Sequence, residues 1–463
     1  MSLKPYPKYK DSGVKWLGKI PEGWKVRKLK HICNVKFSNV DKKSVEGECP
    51  VSLCNYVDVY NNDFITDELK FMEATSSCDE IAKFAIKKGD VIITKDSESW
   101  DDIAVSAYVL SDLKGVLCGY HLAHIRPNAR NIIGRYLFRS FAAQGINDQF
   151  RMLANGITRY GLSKLSIKNS LFPVPSKQEQ VLIANYLDQK TSKIDELIKK
   201  NEKLIELLKE KCQAIISQAV TKGIPPHPPV FPPIKGGQRG VLKGERVDLK
   251  MKDSGIEWIG KIPRHWSIRK LKFLSYIKVS SVDKKTLDGE LPIKLCNYTD
   301  VYKNKFISED IDFMDATATE NEIAQLTLKK GDVLITKDSE IPDDIAVPAY
   351  VKSELKDVLC GYHLARIREN PKYAVGKYLF WLFCAQDIRE QFTPLANGIT
   401  RYGLSKYSID NSIFPVPTID EQKKISTYID QKVSKIYELI EKIQTQIEKL
   451  KEYRQTRPLS ATL

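Results

Sequence analysis

The chain has 463 residues, 42% of them hydrophobic and 28% charged, with a formal charge of +15. That length exceeds one ordinary core and fits two to four domains. No apolar run approaches the roughly 20 residues of a membrane span, and the opening MSLKPYPKYKDSG carries no secretory apolar stretch, so the expectation is a cytoplasmic protein with no membrane partner. The nine cysteines are scattered without any C-x-x-C, which fits reduced, buried thiols and excludes a disulfide framework or a zinc site. The basic excess attracts phosphate polyanions, nucleic acid among them.

In chain order, the first anchors of an internal repeat are Asp11-Ser12-Gly13 and LCNYVDVY at Leu53, which return as Asp253-Ser254-Gly255 and LCNYTDVY at Leu295. KKGDVIITKDSE at Lys87, CGYHLA at Cys118, ANGITRYGLSK at Ala154 and FPVP at Phe172 return at Lys329, Cys360, Ala396 and Phe414. The offset, Ala396 less Ala154, is 242 at every anchor, so the copies keep one register. The first part of each copy is mixed. PVSLCNYVDV and GDVIITKD are predicted strands, and IIGRYLFRSFAAQGINDQF is a predicted amphipathic helix.

The second part of each copy follows a heptad. In the first copy it carries Leu187, Ile194, Ile198, Ile205, Leu208 and Ile215 on one seam, with a polar residue at Asn201; in the second it carries Ile429, Ile436, Ile440, Ile443, Ile447 and Leu450. Lys and Glu fill most remaining places, as in a coiled coil with a solvated outer face. Pro- and Gly-rich sequence joins the copies. The domain reading is therefore 1–175 globular, 176–222 helix, 223–250 linker, 251–417 globular and 418–457 helix, the last stopped by Pro458. The fold class is α+β: two globular α/β domains separated by two long antiparallel coiled-coil helices, with pseudo-two-fold symmetry. Duplex DNA has the same symmetry.

Catalytic signatures are missing from the sequence. There is no G-x-x-x-x-G-K-[ST], G-x-G-x-x-G, G-x-S-x-G or H-E-x-x-H. Of six histidines only His121 and His363 recur, inside apolar sequence that suits a core position better than a metal ligand. The acidic pairs Asp101-Asp102 and Asp343-Asp344 suit a turn better than a nuclease centre. The expectation is a binder with no catalytic residue, metal or cofactor.

MKDSGIEWIGKIPRHW, GDVLITKD, CGYHLARIR, ANGITRYGLSK and FPVPTIDEQKKISTYID, leading into a Lys/Glu coiled coil, resemble the specificity subunit of Type I restriction–modification enzymes. The resemblance covers nearly the whole chain, twice. It implies two target recognition domains, double-stranded DNA as ligand, and two DNA methyltransferase subunits plus restriction/translocase subunits as partners. It also implies a bipartite target at which those partners methylate adenine and cleave. Near-identical domains related by a two-fold axis should read equal half-sites, an interrupted inverted repeat, about one helical turn or 34–36 Å apart. A stand-alone DNA-binding regulator is the second reading and a coiled-coil scaffold the third.

Two stretches per copy are candidate DNA contacts. One is Asn155, Thr158, Arg159, Tyr160 and Lys164, repeated as Asn397, Thr400, Arg401, Tyr402 and Lys406. Arg forks onto guanine, Lys suits phosphate and Asn can pair with adenine; the same loop could instead brace the domain against its helix. The other is Lys95, Asp96, Ser97 and Glu98, repeated as Lys337, Asp338, Ser339 and Glu340. Ser99-Trp100 against Ile341-Pro342, and His124 against Arg366, are the differences expected to separate the two half-sites.

Overall fold

The computed structural model describes residues 6–225 and 250–460; of the expected linker, 223–250, residues 226–249 lie outside the described residues. The chain forms two compact units, residues 1–202 with 444–463, and residues 203–443. Each unit takes one globular domain, the first part of one long helix and the last part of the other.

In the first domain the strands are β1 (Cys33–Phe37), β2 (Cys49–Cys54), β3 (Phe64–Ile65), β4 (Met72–Ser76), β5 (Val91–Thr94), β6 (Asp96–Ser97), β7 (Ser106–Val109), β8 (Val116–Cys118), β9 (Leu122–Pro127) and β10 (Tyr160–Gly161). A five-stranded sheet runs β1-β9-β5-β7-β3, with only β7-β3 parallel. A three-stranded sheet runs β8-β2-β4, and β10 pairs with β6. The order repeats 242 residues later. The run Val91-Ile92-Ile93 shows why this sheet needs continuous apolar sequence. Val91 and Ile93 enter one core with the helices, while Ile92 enters a second core with Leu53, Cys54 and Leu117. A strand buried on both faces has no polar side.

Two local readings change. NYVDV is not strand but helix α1 (Tyr56–Asn61), because Asn55 and Asp58 form a capping box, with the Asn55 backbone N–H donating to the Asp58 carboxylate at 2.7 Å. The single helix expected over 132–150 is two, α2 (Gly134–Phe141) and α3 (Gln144–Leu153), broken where Ala143 turns extended at ψ 127°. The thiols also divide. Cys54, Cys118, Cys296 and Cys360 are buried, and burial pushes Cys360 up to about 12, whereas Cys49 and Cys78 are exposed.

The long helices are α4 (Lys177–Lys222) and α5 (Ile419–Ser460). The second helix thus continues two residues past Pro458 instead of stopping before it; a proline removes one hydrogen bond and kinks a helix without always ending it. Along the seam Leu187, Ile194, Ile205, Ile429, Ile440, Ile443 and Ile447 are buried, and Ile198, Leu208, Ile215, Ile436 and Leu450 half-buried. Near the end of α4 the buried face shifts to Ile216 and Val220, the drift expected when 3.6 residues per turn meet a seven-residue repeat. In the second unit Cys212, Ile216 and Val220 share a core with Ile425, Ile429 and Val433, so the end of α4 lies with the start of α5.

Both helices begin on the same device. Ser176 and Glu179 cap α4, with Ser176 N–H donating to Glu179 at 2.9 Å, and Gln180 is fully buried. The Gln180 amide accepts from Ile133 N–H at 2.8 Å and donates to the carbonyls of Asn131 at 3.1 Å and Pro175 at 3.0 Å. Gln422 repeats the pattern with Val375, Tyr373 and Pro417. Replacing Gln180 with Leu keeps most of the volume but takes the partner from three backbone groups, the buried Pro175 carbonyl and the part-buried Ile133 N–H and Asn131 carbonyl, at about 1–3 kcal/mol for a buried group. Gln180→Leu should therefore lower the urea midpoint of the first unit sharply, read by hydrogen exchange resolved to residues 6–202, while the second unit keeps its protection.

Candidate nucleic-acid interface

Backbone bonds bring the two separately nominated stretches together. Lys95 N–H donates to the His121 carbonyl at 3.1 Å, and Leu162 N–H to the Lys95 carbonyl at 2.8 Å. Tyr160 and Gly161 pair with Ser97 and Asp96 across the β10-β6 ladder. Asn155 and Gly161 exchange both backbone bonds, at 3.1 and 2.9 Å, and close the loop that carries Ile157, Thr158 and Arg159. The second copy repeats this: Lys337 to His363 at 3.0 Å, Leu404 to Lys337 at 2.7 Å, and Asn397 with Gly403 at 3.1 and 2.9 Å.

Gly156 makes the closure possible. Its φ is +154°, and a Cβ there would stand 1.9 Å from the Arg159 carbonyl oxygen; at Gly398 the figures are +149° and 1.8 Å from Arg401. No other residue fits so tight an approach.

The polar interior of the site centres on Asp96. Its Oδ2 takes Lys95 Nζ at 3.0 Å and His121 Nδ1 at 2.9 Å, and Asp338 takes Lys337 at 2.6 Å and His363 at 2.8 Å. His121 is thus a part-buried turn residue at the site, not the core strand residue expected. Tyr120 is half-exposed, stands edge-on to His121 at 4.7 Å, and lies 4.8 Å beneath the Lys95 ammonium. Tyr56 and Tyr60 stack at 5.4 Å, and Tyr298 and Tyr302 at 5.6 Å. Tyr60 donates to Asp102 at 2.5 Å, and that carboxylate pushes the phenol up to about 12. The second carboxylate of the acidic pair is therefore occupied by a tyrosine, in a turn. These rings and His121 were missed because LCNY and CGYHLA read as core sequence; their recurrence in both copies was the available signal.

The candidates divide by exposure. Glu98, Asn155, Thr158, Arg159 and Lys164 are exposed, as are Glu340, Asn397, Thr400, Arg401 and Lys406. Tyr160, Lys95 and Asp96, with Tyr402, Lys337 and Asp338, are part-buried. Ser97 and Ser339 are buried, and Ser97 Oγ accepts from Ser99 N–H at 3.2 Å. The Asn155 and Asn397 side-chain amides donate to the carbonyls of Leu153 and Leu395. Lys406 is held by Asp410 at 2.5 Å, where the first copy has Lys168 in place of that carboxylate. Arg401 approaches His363 at 3.5 Å. Ile157 and Ile399 stand almost wholly exposed at the loop tips, at 93% and 95%.

His124 and Arg366 do not face outward. His124 is 1% exposed and contacts Asp90 at 2.7 Å, beside the Arg126 fork onto the same carboxylate; Arg366 is 5% exposed. Burial alone would raise the Asp90 carboxyl, but bonds from Arg126 and His124 hold it below its ordinary value. Of the two expected differences, only Ser99-Trp100 against Ile341-Pro342 reaches the surface, with Trp100 54% and Ile341 59% exposed.

Each site offers a guanidinium, ammonium groups and exposed rings around a rigid loop. Such a surface can neutralise phosphate, fork onto a base edge and stack on a base. Among the described residues there is no group of three or more His, Cys, Asp and Glu able to hold a metal, and no helix is long and apolar enough to cross a membrane.

One α/β domain used twice, each copy carrying this basic loop and feeding a long helix, is the build of a two-headed recognition protein. The chain belongs to the Type I restriction modification DNA specificity domain family, whose model matches twice, at residues 21–207 and 275–449. It is similar to the type I restriction enzyme MjaVIII specificity subunit of Methanocaldococcus jannaschii, 22% identical over 449 residues, 96% of this chain and 94% of the relative. The provisionally named MjaX specificity subunit of the same organism is 24% identical over 457 residues, 96% of this chain and 95% of the relative. The crystal structure of the HsdS subunit from Thermoanaerobacter tengcongensis shares the fold, with a TM-score of 0.54 at 15% identity over 96% of this chain and 97% of that one. A chain from a structural study of assembly and conformational transition in a type I R-M system gives 0.66 at 15% identity, over 95% and 98%.

Gly156→Ala should open the loop without unfolding the domain. The expected result is faster amide exchange confined to about residues 155–161, weaker DNA binding and a nearly unchanged melting temperature, because strain of about 1–3 kcal/mol falls on one surface hairpin.

Proposed function

We propose that each copy of the site reads one half of a bipartite DNA target and that the two halves are one word on opposite strands. The observation that carries this is the identity of the two loops, ANGITRYGLSK, each closed by the same bonds onto the same KDSE corner. Equal readers, arranged by antiparallel helices, call for an interrupted inverted repeat. The chain itself is not the enzyme. It supplies the address at which two methyltransferase subunits modify adenine and restriction/translocase subunits act, as its family membership supports.

Within each site, Arg159 and Arg401 are the proposed base readers, because they are exposed charges on a fixed loop. Lys164 and Lys406 take phosphate, and Thr158 and Thr400 line the approach. Lys95, Asp96 and His121 with their counterparts orient the site. Ser97 and Ser339 act through the backbone they hold, and Asn155 and Asn397 close the loop. Trp100, opposite Pro342 in the repeat, is an exposed difference beside the otherwise equal loops.

Arg159→Ala with Arg401→Ala should cost about 1–3 kcal/mol per lost base contact and relax specificity at the base each reads. Competition binding against randomised sites measures both; intact specific binding would make the loop a brace and nothing more. Mapping methylated adenines in the host genome tests the symmetry: one word and its reverse complement is the expected motif, and two unrelated words would defeat it.

A further inference from the structure

The two domains carry the same ANGITRYGLSK loop on the same KDSE corner, yet the seats where they receive a helix end have diverged together. In the first unit Arg454, near the end of α5, donates Nε to Asp195 at 2.6 Å and Nη2 to Asp63 at 2.6 Å. Asp63 lies 3.8 Å from Arg139, which donates to Asp188 at 2.7 Å, and Arg135 also bonds Asp188. This seat holds three carboxylates and two guanidinium groups, a balance of −1 that Arg454 brings to zero.

Moving 242 residues along replaces almost every member. Asp63 becomes Lys305, Arg135 becomes Lys377, Arg139 becomes Trp381 and Asp195 becomes Tyr437; only Asp188 persists, as Asp430. The counterpart of Arg454 is Cys212, near the end of α4. In the second unit Lys305 bonds the Tyr437 hydroxyl and lies 4.0 Å from its ring centre, Trp381 donates to Asp430 at 3.0 Å, and Lys377 lies 4.5 and 4.6 Å from the rings of Phe306 and Tyr350. Cys212 is 1% exposed. This seat holds two ammonium groups and one carboxylate, a balance of +1, and receives a neutral thiol.

We propose that the two seats are a matched selector that decides which helix end docks on which domain. The first seat accepts the end of α5 through Arg454 and rejects the end of α4, whether from this chain or from a second copy. The second seat accepts the end of α4 and rejects that of α5. Two near-copies of one helix have an obvious wrong pairing, like with like between two chains. In that pairing Cys212 on the first seat withdraws both guanidinium bonds from Asp63 and Asp195. Arg454 on the second seat raises its balance from +1 to +2 beside Lys305. Both exchanges are unfavourable, and specificity built by repulsion as well as attraction needs only a few positions.

The test uses the full chain, unfolded and refolded at micromolar concentration, with mass followed by analytical ultracentrifugation. D63K/D195Y/R454C gives positions 63, 195 and 454, the two carboxylates that hold the guest and the guest itself, the residues of the second copy. Wild type is expected to refold as monomer and this variant to populate a dimer at least several-fold above it. A wholly monomeric variant overturns the proposal. A cycle of R454C and D195N reads the same contact without dimerisation. R454C should lower the melting temperature and speed exchange over 444–454, and adding D195N should recover part of the loss; losses that simply add would overturn the proposal even if the triple variant does not fold.

Discussion

One buried side-chain amide fixes where each long helix starts and how it leaves its domain. Gln180 and Gln422 each satisfy three backbone groups drawn from two segments, the approach to α2 or its counterpart and the proline just before the helix. Such a group is costly to leave half-satisfied, so the geometry is all-or-none. The capping box one residue earlier then fixes the first turn. A helix of 46 residues amplifies any error at its base: a tilt of a few degrees displaces its far end by several ångströms over roughly 69 Å.

Much of this was legible. The repeat gave the domain count, and the heptad located the helices within a few residues. GDVIIT was legible as a strand, although its burial on both faces was not. What escaped was decided by single residues or distant pairings. Asn55 turns NYVDV from a β-rich string into a capped helix, and Ala143 breaks a helix whose apolar spacing continues across the gap. Pro458 sits inside a helix it was expected to end. The union of Lys95-Glu98 with Ala154-Lys164 depends on a two-residue ladder between segments some sixty positions apart, which no local pattern encodes. His124 and Arg366 read as differences between the half-sites, yet both are buried, His124 against Asp90 and Arg366 against the Thr327 carbonyl.

The two copies differ in an ordered way that says what each part is for. Around the loop the residues that shape the surface, Lys95, Asp96, His121, Tyr120, Gly156 and Arg159, are the same in both copies. Around the helix seats four of five positions change, and they change as a set: carboxylates give way to a lysine and a tyrosine where the incoming arginine gives way to a cysteine. Independent drift would leave mismatched seats, a lone carboxylate facing a thiol or two cations face to face, each an unfavourable contact. Instead each seat is internally consistent. A duplicated reader gains nothing by having its two sites diverge if both must meet the same word. A duplicated joint gains by diverging, because identical joints cannot tell their own helix end from the other. The internal repeat is therefore held equal around the loop proposed to read DNA and made unequal where each unit receives the end of a long helix.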